Sequence, residues 1–477
     1  MCSIIGIKGQ FAKKHAINML KILNHRGPDA KGIFSNNIIK HDNIEEIPES
    51  EFVLAHNLLS IVGENEIQPL QMDNLTLIAN AEIYNYNNLI QKYDIKDLNT
   101  KSDCEIILKI IKKEYKGNLE EAVLKMLPLL DGDYAFCITD NEDFMVIRDK
   151  VGVKPVYYTS NEHTFAFASE QKALQEINHN VNTLKPTQAI FNNQIITIRD
   201  EYERKPEKIS YESLKEELKT NITNAVNKRI RNLDKVALLF SAGVDSTLIA
   251  ELLKKAGIDT TLYTIGTENS QDMKFAKQAA QELGLPLKYE VINREIVEEN
   301  FLKTIEIIED TNLMKVGVGM TIYLTSKLAK KDNQKVILSG QGADELFAGY
   351  NRYKNKYNQP EELTRELTYD LNNMYHVNLE RDDKATMANS MELRVPYLDK
   401  HVIKTASKVP TEYMLKSDND NLRKHILRDA AYELGVPEYI AYRPKKAAQY
   451  GTGIDKIIRK KIIKKEQYKT FLENYEC

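Results

Sequence analysis

The order of apolar and polar positions gives the two halves of the chain different characters. In the first half, short stretches either alternate between apolar and polar residues or are apolar throughout. Gly, Asn, Asp and Pro residues bound these stretches, which predicts strands separated by turns. Helical spacing interrupts them around Ala12 to Leu23 and around Asp103 to Tyr115. The pattern predicts mixed sheets with helices packed outside. The predicted strands are Ser3 to Ile7, Phe52 to Ala55, Leu75 to Ala79, Asp133 to Thr139, Asp143 to Arg148, Val156 to Thr159 and Thr164 to Ala168.

A polar stretch, about residues 192–210, separates the halves and predicts a linker. From Tyr211 onward, helical patterns alternate with short apolar runs, as in a doubly wound parallel sheet. Ligands of such sheets lie beyond the carboxyl ends of the strands. The predicted elements are strands Val236 to Phe240, Thr261 to Gly266, Lys288 to Ile292 and Lys335 to Leu338, and helices from Leu248 to Ala256 (closed by Gly257) and from Met273 to Leu283.

The loop after the first of these strands predicts an anion site. Ser241, Ala242 and Gly243 are small enough for backbone N–H groups to approach an anion, and a helix N-terminus follows at once. The loop has neither the Gly-Lys-Ser/Thr ending of a phosphate loop nor a G-x-G-x-x-G pattern. It is similar to the S-G-G-x-D-S loop of enzymes that cleave ATP between the α and β phosphates, with Ala242 in place of Gly. The alternative is an ordinary strand-to-helix turn rich in small residues.

A second small-residue loop, Ser339-Gly340-Gln341-Gly342-Ala343-Asp344, follows the later strand. Asp245 and Asp344 then stand after two such loops. Mg²⁺ in phosphate sites prefers one or two carboxylates together with phosphate oxygens, so the two acids are a candidate Mg²⁺ pair. For Asp344 alone, helix capping is the alternative.

Composition narrows the function classes. A chain of 477 residues is longer than one ordinary domain. Its net charge of −3 shows no excess of positive charge, so nucleic acid is not indicated as its main partner. No apolar stretch reaches membrane-spanning length, and the N-terminus lacks a secretory signal pattern, so we expect a cytoplasmic protein. The cysteines show neither zinc nor disulfide-framework spacing. They are Cys2, Cys104, Cys137 and Cys477.

Cys2 has a physical reason to be catalytic. Removal of Met1 would leave a residue that carries both a thiol and an α-amine, whose ordinary pKa values of about 8.5 and 8 suit proton transfer between them. The alternative is an incidental buried thiol.

Further motifs follow Cys2 along the first half. They are Cys2 to Gly6, Asn24 to Asp29, Leu54 to His56 with Leu59 to Val62, Gln68 to Leu70, Asn80 to Asn85, Ser102-Asp103, Arg148 to Tyr158 and Phe167 to Glu170. In this order they resemble the motifs of class II glutamine amidotransferases. The resemblance implies an αββα N-terminal-nucleophile hydrolase fold in which Cys2 attacks the side-chain amide of glutamine and releases ammonia. It also implies that the Asn80 side chain and the Ala81 N–H form the oxyanion hole, and that Glu82 and Asp103 bind the glutamine α-amine.

Two positions depart from that pattern. Ala81 replaces a usual Gly, which leaves the backbone donor in place. Leu58 stands where the family's H-x-R-L pattern supplies an arginine for the glutamine α-carboxylate. Arg26 is the candidate replacement for that cation.

The second half carries four further motifs: Ser339 to Tyr350, Arg381 to Ala388, Met391 to Asp399 and Arg443 to Lys446. They resemble those of the synthetase domain of the asparagine synthetase B family. By this resemblance, Ile265 and its neighbours hold the adenine, and Lys384, Arg394 and Lys445 face phosphate or the acyl-adenylate, with Lys384 and Lys445 as catalytic residues. Gln341 replaces a usual acid, and an amide cannot accept a proton at neutral pH. The candidate ATP or pyrophosphate contacts are Ser241, Gly243, Asp245, Ser246, Ser339 and Gly340.

Together these patterns predict a glutaminase domain over residues 1–205 and an ATP-dependent synthetase domain over residues 206–477. The resemblance implies that ATP and Mg²⁺ activate the aspartate side chain as an acyl-AMP, which ammonia attacks after passing along an internal path. The alternatives are a ligase acting on another carboxylate or using free ammonia, and a catalytically decayed regulatory relative. The expected partners are the small-molecule substrates glutamine, aspartate and ATP, and a homodimer is the candidate oligomer.

Overall fold

A computed structural model describes residues 2–62, 66–268, 270–444 and 451–474. Its contacts divide these residues into two compact units. Unit 1 comprises residues 2–201 and the segment Tyr375–Ser390, and unit 2 comprises Tyr202–Met374 and the described residues from Met391 onward. The change of unit between Glu201 and Tyr202 lies inside the polar stretch 192–210. The return of Tyr375–Ser390 to unit 1 has no signal in the sequence pattern.

Two antiparallel sheets form the centre of unit 1. Their orders are β11-β9-β10-β1-β4-β2-β3 and β13-β12-β8-β7-β6-β5. The sheets pack face to face through Ile4, Leu54, Ile78 and Val146, which are buried in one apolar cluster. The strands are β1 (Ser3–Gly9), β2 (Ala30–Ser35), β3 (Ile38–Lys40), β4 (Phe52–Leu58), β5 (Leu70–Met72), β6 (Leu75–Ile83), β7 (Gly132–Thr139), β8 (Phe144–Arg148), β9 (Tyr157–Ser160), β10 (Thr164–Ala168), β11 (Asn182–Thr183), β12 (Gln188–Phe191) and β13 (Gln194–Thr197).

Helices cover the outer faces of both sheets. The apolar side of α1 packs on the first sheet, and α3 and α4 pack on the second, which completes an αββα sandwich. The N-terminal part of the predicted fold class is therefore confirmed. These helices are α1 (Ala12–Ile22), α2 (Tyr86–Lys92), α3 (Glu105–Glu114) and α4 (Leu119–Met126).

Unit 2 is built on one parallel sheet with the order β16-β15-β14-β17-β18. All neighbouring strands pair in parallel, for example Leu238 with Leu262 and with Leu338. The central strands are buried almost continuously, and Val236, Ala237 and Leu238 are fully buried. This burial is expected of a parallel sheet that helices cover on both faces. The predicted doubly wound half is confirmed. Its strands are β14 (Lys235–Leu239), β15 (Asp259–Gly266), β16 (Leu287–Val291), β17 (Val336–Leu338) and β18 (Glu392–Arg394).

Helices make up most of the chain after residue 202. The α6 helix ends at Gly257 with φ +72°, as the position of that glycine predicts. None of the described helices has the length and apolar character to cross a membrane. They are α5 (Tyr211–Arg229), α6 (Val244–Ala256), α7 (Gln271–Leu283), α8 (Arg294–Ile308), α9 (Leu313–Lys331), α10 (Ala343–Leu346), α11 (Pro360–Met374), α12 (Glu380–Met387), α13 (Lys400–Lys408), α14 (His425–Glu433), α15 (Glu438–Ala441), α16 (Ile454–Ile457) and α17 (Glu466–Asn474).

The segment Tyr375–Ser390 leaves unit 2 at the end of α11 and forms a π-helical turn followed by α12. Every residue of α12 is buried, although five of its eight side chains are charged. Contacts within unit 1 hold the segment at three places along its length. Glu380 pairs with Arg148 (3.0 Å), Asp383 with Arg26 (2.7 Å), and the Ser390 hydroxyl donates to the carbonyl of His25 (2.7 Å).

Candidate functional site

The Cys2 backbone nitrogen lies against an amide side chain at the start of β1. It donates to Asn80 Oδ1 at 3.1 Å, and both residues are buried. Within the described part of the chain, Asn80 Nδ2 has no hydrogen-bond partner. A buried N–H donor on the amide that accepts from the Cys2 nitrogen suits an oxyanion, because such donors stabilise negative charge that develops in a transition state.

Two side chains fix the strand that carries Asn80. The Gln68 amide accepts from the Ala79 N–H (2.6 Å) and donates to the Ala79 carbonyl (3.0 Å). His56 Nε2 contacts the same carbonyl at 3.1 Å. Burial lowers the pKa of His56 to about 3, so the ring is neutral and its Nε2–H donates. The Q-P-L and L-A-H motifs thus hold β6 one residue before Asn80, the predicted oxyanion donor.

The predicted amine-binding acids converge at the far end of β6. The Cys104 thiol lies 4.0 Å from the Ala81 carbonyl and 3.8 Å from Asp103 Oδ1, and Asp103 Oδ2 accepts from the Ile83 N–H. Burial and the Asp103 carboxylate raise the pKa of Cys104, with smaller contributions from Cys2 and Glu82. The structure therefore brings Cys2, Glu82 and Asp103 into one neighbourhood around Cys104, a residue that the sequence motifs did not single out.

Arg26 lies directly behind Cys2. Its Nε donates to the Cys2 carbonyl (3.3 Å), while Nη1 contacts Glu170 Oε1 (2.8 Å) and Asp383 Oδ2 (2.7 Å). Burial alone would lower the pKa of Arg26, but the Asp383 and Glu170 carboxylates outweigh it and raise the pKa above its ordinary value. The Nη2 atom of Arg26 is buried and has no hydrogen-bond partner among the described residues, so a substrate carboxylate would have to meet Nη2 while Nη1 keeps both ion pairs. Its predicted contact with glutamine stays a prediction.

Leu58 lies beside Cys2 in register. The β1–β4 ladder ends with Ser3 opposite Asn57, so the next residues outward are Cys2 and Leu58. Leu58 is buried, and strand alternation gives it the same face as His56, whose ring reaches β6. The position at which the resemblance implies a carboxylate-binding arginine is therefore opposite Cys2, and here it holds an aliphatic side chain.

In unit 2, the two predicted phosphate loops follow adjacent strands, β14 and β17, at the carboxyl edge of the sheet. They touch one another: a Cβ added to Gly340 would lie 3.0 Å from Asp245 Cβ and 3.3 Å from the Ser246 nitrogen. The Ser241 and Ser246 hydroxyls are 3.2 Å apart. The Gly243 N–H lies 3.4 Å from Ser241 Oγ, just ahead of α6. Small residues at these positions are needed for the loops to pack together.

Ala242 shows why glycine is usual at its position. Its φ is +51°, in the left-handed region, and its methyl group is fully buried. This conformation costs an L-residue about 1–2 kcal/mol. The chain keeps the loop conformation despite the departure from the S-G-G-x-D-S pattern.

Asp245 and Asp344 meet at a lysine that the sequence motifs did not identify. Lys424 Nζ lies 2.8 and 2.9 Å from the Asp245 oxygens and 2.6 Å from Asp344 Oδ1. Lys424 is buried, and it and Arg423 both have positive φ, which turns the chain immediately before α14. A Cβ on Gly349 would fall 1.8 Å from Asp344 Oδ1, so only glycine fits beside this pair. L-R-K-H looks like an ordinary exposed helix start, so no sequence signal marks Lys424.

The geometry of this cluster can be compared with the needs of the predicted Mg²⁺ site. Two carboxylates that both reach one ammonium group converge on a single cationic position, and hard oxygen donors of that kind fit Mg²⁺. The described residues contain no group of three or more His, Cys, Asp or Glu side chains that could hold a metal alone. Phosphate oxygens would therefore have to complete the coordination, as is usual for Mg²⁺ with nucleotides.

The other predicted residues have different positions. Ile265 is buried near the carboxyl end of β15, while Gln341 is half-buried and its N–H lies 3.3 Å from Ser339 Oγ. Arg394 is fully buried and donates to Glu392 (2.6 Å) and to the Arg229 carbonyl (2.5 Å). Lys384 belongs to unit 1, where its ammonium lies 4.6 Å from the centre of the Tyr157 ring. Lys445 lies outside the described residues.

Comparison with known proteins identifies both halves. A family profile described as a glutamine amidotransferase domain matches residues 1–216, and one described as asparagine synthase matches residues 217–363 and 355–468. The chain belongs to the asparagine synthase family. A relative named "Putative asparagine synthetase [glutamine-hydrolyzing] 1" from Methanocaldococcus jannaschii is 41% identical over 96% of this chain and 95% of its own. Asparagine synthetase B [glutamine-hydrolyzing] of Escherichia coli is 29% identical over 98% of this chain and 85% of its own.

For this member of the asparagine synthase family, we expect Leu58→Arg to lower the Michaelis constant for glutamine. A restored charge-assisted pair with the substrate α-carboxylate contributes about 1.5–3 kcal/mol, equivalent to roughly a tenfold to hundredfold change. Steady-state glutaminase kinetics of the two proteins provide the measurement. Leu58→Met, which is similar in volume and uncharged, is the control and should leave the constant unchanged. A wild-type constant well below a millimolar would instead show that another cation already compensates.

Proposed function

We propose that the chain is a glutamine-dependent asparagine synthetase that converts aspartate to asparagine through an aspartyl-AMP intermediate. The observation that carries the proposal is that one chain combines the Cys2–Asn80 contact with the Asp245–Lys424–Asp344 cluster. The first arrangement suits attack on an amide and the second suits pyrophosphate. Membership of the asparagine synthase family supports the same pairing.

In unit 1, the α-amine of Cys2, once Met1 is removed, takes the thiol proton and the sulfur attacks the side-chain amide carbon of glutamine. Asn80 Nδ2 then donates to the oxyanion, since Oδ1 of the same group already holds the amine. Collapse of the tetrahedral intermediate expels ammonia, which carries off the proton, and leaves a thioester on Cys2. Water hydrolyses the thioester to glutamate and frees the thiol.

In unit 2, the aspartate side-chain carboxylate attacks the α-phosphorus of ATP, and pyrophosphate leaves. Backbone N–H groups around Ser241 and Gly243, together with the N-terminus of α6, provide positive potential for the leaving group. Mg²⁺, held by Asp245 and Asp344, would neutralise further phosphate charge when bound. Lys424 is positioned to move from the two carboxylates to a phosphate oxygen. Ammonia then attacks the acyl carbon, and AMP departs.

The test is ATP–pyrophosphate exchange measured with a panel of carboxylic acids. We expect aspartate to support exchange at least about tenfold faster than glutamate, because one extra methylene is discriminated by roughly 10–200-fold in a fitted pocket. Exchange without any acid serves as the blank. Faster exchange with another acid would replace aspartate as the acceptor.

A ligase for a different carboxylate is the second candidate, and Gln341 favours it. The amide stands where the resemblance implies an acid that can accept a proton, so a different attacking amine or acceptor would explain the change. The same exchange panel separates the two candidates.

A further inference from the structure

The helix α12 places five charged side chains in the interior of unit 1. Glu380, Arg381, Asp382, Asp383 and Lys384 are each at most 8% exposed. Charges at that depth destabilise a fold unless they are paired, and removal of one partner leaves the other uncompensated. Arg381 pairs with Asp382 inside the helix (2.7 Å), whereas Asp383 reaches outward to Arg26.

Arg26 links Asp383 to the nucleophile. One guanidinium connects the Cys2 carbonyl, through Nε, with Asp383 and Glu170, through Nη1. Glu170 has other partners: Lys172 Nζ lies 2.7 Å and His25 Nε2 3.0 Å from its oxygens. The second oxygen of Asp383, in contrast, has no hydrogen-bond partner within the described ranges. Without Asp383, Arg26 would keep Glu170 as its one carboxylate partner among these contacts. Glu170 itself would still be contacted by Lys172 and His25.

We propose that Asp383 is a positioning residue for Cys2 that acts through Arg26. The proposal rests on Cys2 being the glutaminase nucleophile. Asp383 fixes the orientation of the Arg26 guanidinium. The guanidinium in turn fixes the position of the Cys2 carbonyl, and with it the position of the backbone that carries the thiol. A displaced nucleophile attacks more slowly, although the substrate still binds, so the turnover number is the sensitive quantity. The residue comes from a segment whose two ends continue into α11 and β18 of unit 2.

The experiment compares Asp383→Asn with Asp382→Asn in the full-length protein. The control residue is adjacent, on the same helix and equally buried, but its partner is Arg381. We expect Asp383→Asn to lower the glutaminase turnover number about tenfold to a hundredfold, with the glutamine Michaelis constant within about threefold. Ammonia-dependent amide synthesis should change less than about twofold. Asp383→Glu, which keeps the carboxylate, should recover at least part of the loss, and Asp382→Asn should lower the turnover number by less than about twofold.

Arg26→Lys keeps the charge and tests the same link if Asp383→Asn folds poorly. One ammonium group cannot hold two carboxylates and the Cys2 carbonyl in the fork geometry of arginine, so the turnover number should again fall. The proposal is overturned if either variant keeps a turnover number within threefold of wild type. It is also overturned if the Michaelis constant alone rises, because Arg26 would then bind glutamine, or if Asp382→Asn shows the same loss. Glutaminase activity in Cys2→Ala would instead remove the nucleophile assignment on which the proposal rests.

Discussion

Cys2→Ala abolishes glutamine-dependent amide synthesis, whereas synthesis from added ammonia survives: this is the largest effect that we expect in unit 1. The substitution removes the proposed nucleophile and leaves Asn80 and the acids in place, so hydrolysis of glutamine should fall by at least about a thousandfold. Under the proposed function, unit 2 has its own site and uses ammonia from any source. Product formation measured with glutamine and with ammonium chloride separates the two activities.

Cys104→Ser is the matched control for that experiment. Cys104 lies in the same neighbourhood, and a hydroxyl can keep its contact with the Ala81 carbonyl. We expect the control to retain most of the glutaminase activity. If Cys2→Ala loses activity equally with both nitrogen donors, the thiol supports the fold rather than the glutaminase reaction, and the two-site interpretation fails.

The largest effect in unit 2 is expected from Asp245→Asn and Asp344→Asn. Each substitution removes one of the two carboxylates that meet at Lys424, and with it half of the candidate Mg²⁺ ligands. We expect ATP–pyrophosphate exchange to fall at least about a hundredfold, because charge stabilisation of the leaving group is usually worth several kcal/mol. Glutaminase activity should stay at the wild-type level.

Asp259→Asn is the control, since this exposed acid begins β15 at the opposite, amino edge of the same sheet. It should leave exchange unchanged. A titration with Mg²⁺ adds a second readout: the concentration for half-maximal exchange should rise in the two site variants and not in the control. Exchange at the wild-type rate in either site variant would remove that acid from the assignment.

Local patterns were enough to predict the central strands and the phosphate-loop helix. Alternating or continuously apolar residues predicted β1, β4, β6 and β14. Buried strands need apolar side chains at the buried positions, so their sequences carry a visible pattern. Short strands such as β3 and β11 have two or three residues and little pattern of their own, so the sequence did not predict them. Tertiary pairing rather than local preference forms these strands.

The sites required long-range information. Cys2 and Asn80 are 78 positions apart, and only the family resemblance predicted that they would meet. Lys424 was missed because a lysine before a helix is normally exposed. The charged run Glu380 to Lys384 has the composition of a solvated helix face. Its burial depends on partners such as Arg26 and Arg148 that lie far away in the sequence.

The return of Tyr375–Ser390 to unit 1 has a consequence for synthesis on the ribosome. When Glu201 has been made, unit 1 still lacks the counter-charge for Arg26 that Asp383 supplies and the one for Arg148 that Glu380 supplies. About 190 further residues must be translated first, which takes roughly 10–40 s at the usual 5–20 residues per second. The nascent first half must therefore wait, incompletely paired, until most of the second half has emerged, and a truncation before α12 would leave it permanently in that state.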